Sequence, residues 1–90
     1  MMSSRTEVAR EILRLAEARA GSSFCPSEVA RHLAGAGENE SWRELMPLVR
    51  EVAASLAVEG AILVTQRGLP VKIGEVRGAV RLRKIASSAM

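Results

Sequence analysis

Ninety residues, 9.7 kDa, with 48% apolar and 26% charged side chains, are one globular domain's worth of chain. No apolar run approaches the roughly 18 residues that cross a bilayer, and Met1-Met2-Ser3-Ser4-Arg5 leads into a charged segment, so neither a membrane span nor a signal peptide is expected. One cysteine, one histidine and no aspartate exclude an internal disulfide, a metal cluster and most hydrolytic constellations, so no enzyme, cofactor or metal site is expected.

The net charge of +3 is unevenly spread. Residues 1–60 hold seven arginines and nine glutamates, a net −2. Residues 61–90 hold six basic side chains (Arg67, Lys72, Arg77, Arg81, Arg83, Lys84) against Glu75 alone, a net +5. A basic excess gathered in one segment marks a polyanion-binding face or, more simply, a solvated surface rich in arginine.

The first helix opens on Ser4 and Glu7 at capping-box spacing. Val8, Ile12, Leu15 and Ala16 follow as one apolar stripe, and Gly21 caps the end. Ser22-Ser23-Phe24 is a short link with room for an extended residue or two. Pro26 suits the first position of a second helix, which makes Cys25 its cap. Phe24 and Val29 fall at hydrophobic-staple positions; Val29, Ala30 and Leu33 form the buried face, and Gly35 ends the helix. Residues 36–40 are an acidic loop. Ser41 and Glu44 repeat the capping-box spacing ahead of a third helix over Trp42–Glu59, capped by Gly60. Leu45, Leu48, Val49, Val52 and Leu56 share one arc of it; Arg43, Pro47, Arg50, Ala54 and Val58 share the other. Pro47 predicts a kink or the true start of the regular helix.

After Gly60 the period changes. Residues 61–66 read as a strand, and Val80-Arg81-Leu82-Arg83 alternates apolar and basic. The dozen residues between them contain Gly68, Pro70, Gly74 and Gly78, and predict a broad loop rather than a tight hairpin. Residues 4–84 are expected to form a single domain, with 1–3 and 85–90 as frayed termini. Three helices followed by a two-stranded hairpin is the element order of an α+β winged helix-turn-helix; a plain three-helix bundle is the alternative. The predicted core is Val8, Ile12, Leu15, Val29, Leu33, Leu45, Val49, Val52, Leu56, Ile62, Val64, Val80 and Leu82.

The chain also resembles a family of small bacterial proteins catalogued only as a domain of unknown function. The likeness rests on Cys25-Pro-Ser-Glu-Val-Ala-Arg31, Trp42-Arg43, Leu45-Met46-Pro47, Val49-Arg50 and Gly60. It continues through Val64-Thr65-Gln66, Gly68, Pro70-Val71, Arg77-Gly78 and Val80-Arg81-Leu82-Arg83. It implies a cytoplasmic protein with a winged-helix fold and no catalytic residues. The loop at 36–40 and the Ile73-Gly74 pair depart from the family's usual pattern.

Two sets of side chains suit double-stranded DNA. Arg67, Lys72 and Arg77 lie in the connecting loop and Arg81 alternates with Arg83 on a strand, where guanidinium groups suit phosphate contact. Arg43 and Arg50 stand seven apart on the outward arc of the third helix, where arginine reads guanine. Glu44 and Glu51 would weaken binding if they separate the two sets, and the third helix has no Asn or Gln for base readout. The competing reading is a protein-interaction module that docks a partner on Pro47, Ala54 and Val58. Arg31 and His32 could add backbone contacts, though His32 reads better as an ordinary surface histidine. Trp42 reads as a core anchor, and Cys25 as a partly buried structural cap rather than a redox sensor.

Overall fold

The computed structural model describes residues 5–19, 21–35 and 41–85. The expected Ser4 cap, the loop at 36–40 and the termini at 1–3 and 86–90 lie outside these. Helix α1 spans Arg5–Arg19, α2 Pro26–Ala34 and α3 Trp42–Val58. Strand β1 spans Ile62–Gln66, β2 Leu69–Pro70 and β3 Arg81–Lys84, with a 3-10 turn at Ile73–Glu75 between β2 and β3.

The apolar stripes meet where their spacing predicts. Val8, Ile12, Leu15 and Ala16 of α1 are buried, as are Val29 and Ala30 of α2 and Val49, Val52, Ala53 and Leu56 of α3. Ile62, Val64, Val80 and Leu82 close the same core from the sheet. Leu33 and Leu45 pack against it from its edge and are only partly buried. Phe24 is fully buried at its centre. The fold is thus α+β, three helices followed by an antiparallel sheet, in a winged-helix-like arrangement.

The sheet has three strands rather than two, in the order β2-β1-β3. The expected pairing of the two long strands is present: Val64 faces Leu82 and Leu63 faces Arg83. The broad loop does not form as predicted. The chain reverses in two residues, Arg67 (φ 55) and Gly68 (φ 82), so that Leu69 faces Gln66 and Pro70 faces Thr65. Two consecutive positive φ values match the right-handed twist of a two-residue hairpin, a geometry open to glycine and strained for arginine. Beyond β2, the Val71 N–H still donates to the Val64 carbonyl at 3.0 Å. The link between α1 and α2 supplies the extended residue: Phe24 exchanges two backbone hydrogen bonds with Leu82, each 2.8 Å.

The helix ends divide. At α3 the Ala61 N–H reaches the Leu56 carbonyl and the Gly60 N–H that of Ala57, which satisfies two terminal carbonyls with Gly60 at φ 80. The two expected side-chain caps are corrected. Ser41 is already in the right-handed helical region (φ −62, ψ −19), so its hydroxyl does not cap α3. Cys25 stands at the cap of α2 with extended backbone, and its thiol makes no cap bond. Pro47 lies inside a continuous α3, where it withdraws one intrahelical bond on the exposed side.

Phe24→Ala removes the largest fully buried side chain. It should cost about 3–5 kcal/mol in urea unfolding, whereas a cost below 1 kcal/mol would mean that the α1–α2 link is not part of the core.

Candidate nucleic-acid interface

Folding divides the six cations of the last third into bound and unbound sets. Arg81 points back across the sheet edge. Its Nε donates to Ser23 Oγ at 2.8 Å, Nη2 to the Ser23 carbonyl at 3.0 Å and Nη1 to Cys25 Sγ at 3.1 Å. Lys84 lies 3.1 Å from the Glu17 carboxylate of α1. Arg83 is half-buried opposite Leu63, and its Nε is buried with no hydrogen-bond partner. Arg67, Lys72 and Arg77 are exposed, and none makes an ion pair or side-chain hydrogen bond with another described residue. The loop that carries Arg77 is tied to β1, because Gln66 Nε2 donates to the Arg77 carbonyl at 2.7 Å and to that of Ala79 at 3.2 Å.

On α3, Arg43 is exposed and Arg50 half-buried, on the arc that also carries Pro47, Ala54 and Val58. Trp42 packs against the edge of the core and is not fully buried. The Arg43 guanidinium carbon lies 4.6 Å from its ring centroid and that of Arg31, from α2, 4.4 Å. Trp42 therefore gathers two guanidinium groups at the junction of α2 and α3. The sequence has no local signal for this, since Arg31 lies eleven residues upstream.

Two glutamates, Glu51 and Glu28, pair between helices, whereas Glu44, Glu59 and Glu75 are exposed and make no ion pair with another described residue. Glu51 sits 2.9 Å from Arg5 of α1 and is thereby occupied on the α1 side. An apolar groove lies between Ala54 and Val58 of α3 and the loop at 70–75 that carries Lys72. Glu28 pairs with Arg19. Burial pushes the Glu28 carboxyl up, but the Arg19 hydrogen bond, the Cys25 backbone and the charges of Arg19 and Arg81 outweigh it, leaving it below 4.5. Glu11 accepts from Arg14 at 3.1 and 2.5 Å and lies 3.1 Å from His32 Nδ1. The hydrogen bond from Arg14 holds the Glu11 carboxyl below its ordinary 4.5, against the effect of burial and with help from His32. His32 is an exposed surface histidine in this cluster.

Three helices, a small antiparallel sheet and a cationic hairpin define a winged-helix-like module in which no described helix is long and apolar enough to cross a membrane. The chain belongs to the family described as "Protein of unknown function (DUF3253)", whose model matches residues 5–85. No curated protein matches the sequence.

Two outcomes test this charge layout. Arg67 holds a backbone region that costs a non-glycine residue about 1 kcal/mol or more. Arg67→Asn, which suits a two-residue turn before glycine, should therefore raise stability by about 0.5–1 kcal/mol; a loss of stability would show that the arginine side chain holds the turn. The second outcome follows from Glu11. Its folded carboxyl titrates below 4.5, so its contribution is complete above that pH and is lost as pH falls through the folded value. In thermal melts from pH 7 to pH 2, Glu11→Gln should be less stable than the parent at neutral pH, and the difference should shrink below pH 4.5. A constant difference would show that the Arg14 pair is not felt in folding.

Proposed function

We propose that the chain is a cytoplasmic winged-helix DNA-binding protein with weak sequence preference, holding duplex phosphates through its wing. The observation that carries this reading is the set Arg67, Lys72 and Arg77, exposed in one hairpin and its return loop and bonded to no described carboxylate. Unneutralised cations on a protruding hairpin attract a phosphate backbone and release its counterions. The positive φ at Arg67 supports the same reading, because a strained turn with a charged residue at its tip is a common mark of a functional position. Arg43 and Arg50 extend the contact along α3. Their arc offers Pro47 and Ala54 besides, which read no bases, hence the weak preference. Arg81 drops out of the contact set, because its guanidinium is spent on Ser23 and Cys25.

The second reading is a protein-interaction module, favoured by Pro47 and by Val58, which is 87% exposed.

A salt titration of labelled duplex separates them. Binding through four or five phosphates should fall with a log–log slope of about −4. Arg67→Ala with Lys72→Ala should make that slope shallower by about two. Arg81→Ala should leave the slope unchanged and lower stability instead, by about 1 kcal/mol. No binding at low salt, or equal slopes for the parent and the wing double variant, would transfer the function to the protein-interaction reading.

A further inference from the structure

The wing loop does not lie flat on α3. Between them is a groove of about 440 Å³, walled by Ala54 and Val58 of α3, Leu63 of β1, Val71 and Ile73 of the loop, and Ile85. That volume falls within the roughly 300–1,000 Å³ of small-molecule sites. Its charged members are Lys72 and Glu75, both exposed. We propose that this groove binds a small amphiphilic anion, an unbranched or aromatic apolar body with a single carboxylate or sulfonate head, the body in the groove and the head at Lys72.

The occupant's chemistry follows from what the walls lack. Alanine, valine, leucine and isoleucine walls give water few hydrogen-bond partners, so an apolar group displaces that water with a gain. A peptide segment in the groove would bring backbone N–H and C=O groups to walls that cannot pair them. An alkyl or aryl body has no such groups to satisfy. The sign of the head follows from the surrounding charge. Of the six bases in residues 61–90, Lys84 is paired with Glu17, Arg81 is turned to Ser23 and Cys25 and Arg83 is half-buried, which leaves Lys72 with Arg67 and Arg77 against the one acid of the lining, Glu75. Arg67 and Arg77 on the same hairpin and loop are exposed and bonded to no described acid. The local potential therefore favours an anion over a cation, and the flexible stem of Lys72 lets its ammonium reach over the groove mouth. All the measurements below use the protein alone, so the proposal stands or falls independently of DNA binding.

The test uses 8-anilinonaphthalene-1-sulfonate as a fluorescent probe, displaced by decanoate, decanol and decylammonium at concentrations below micelle formation. The parent protein should bind the probe, and decanoate should displace it at about tenfold lower concentration than decylammonium. Decanoate should outcompete octanoate by about tenfold, as burial of two further methylenes requires. Lys72→Glu should abolish the preference for decanoate over decylammonium and leave decanol within about twofold. Val58→Glu, at a position 87% exposed and hence harmless to folding, should weaken the probe and decanoate alike. Absence of probe binding, or an unchanged decanoate preference in Lys72→Glu, would overturn the proposal. So would a dimer in sedimentation whose formation excludes the probe, since a second copy would then fill the groove.

Discussion

The structure turns on two backbone hydrogen bonds, each 2.8 Å, between Phe24 and Leu82. They join the link between α1 and α2 to the last strand, which fastens the sheet to the front of the helical half. A two-stranded hairpin is marginal by itself. Here β1 has β2 on one edge and β3 on the other, and β3 has Phe24 beyond it. The Phe24 ring fills the core from this position, fully buried, so one residue supplies both the sheet edge and the centre of packing. The neighbours follow from this register. Ser23 and Cys25 flank Phe24, and Arg81 precedes Leu82, so Arg81 reaches both. The base of the wing is pinned, while its tip at Arg67-Gly68 remains at the surface.

The helical half was legible because each helix has one apolar face and a recognisable end. Val8, Ile12 and Leu15, or Val49, Val52 and Leu56, repeat at helical spacing and can be buried only together. Gly60 stops α3 because its φ of 80 suits glycine and few other residues. Side-chain caps were less legible, since spacing alone does not fix the backbone of the capping residue. Ser41 has the right type and distance from Glu44, yet its own backbone is helical. Cys25 has the right backbone, but its sulfur faces Arg81, 56 residues away.

The wing is hard to read from sequence for a different reason. Two-residue turns are announced by Asn-Gly or Asp-Gly, and Arg67-Gly68 carries half of that signal. Pro70 then argues against a strand, although it is tolerated at a sheet edge, where the missing N–H costs no ladder bond. With β2 only two residues long, no alternation exists to be read. Nor could the allocation of cations be read. Arg81 and Lys84 find partners 58 and 67 residues back in the chain, and Trp42 attracts Arg31 from eleven residues upstream. Sequence gives the number of charges in the wing; tertiary contacts decide which of them remain available.

Ion pairs at a protein surface contribute little to stability, about 0–1 kcal/mol each. Their larger consequence is for the field outside the protein. Arg5 with Glu51, Arg14 with Glu11, Arg19 with Glu28 and Lys84 with Glu17 cancel charges at the seams of α1 with α3, within α1, and of α1 with α2 and β3. Every one of these pairs has a partner in α1, the helix most remote in sequence from the wing. Neutral seams contribute short-range dipoles that fade within a Debye length, about 8 Å at physiological salt. Arg67, Lys72 and Arg77 have no such partner among the described residues, so their fields add. A net charge as modest as +3 can therefore coexist with a locally positive surface, because the last third carries six bases against one acid and three of those bases keep no ion pair among the described residues.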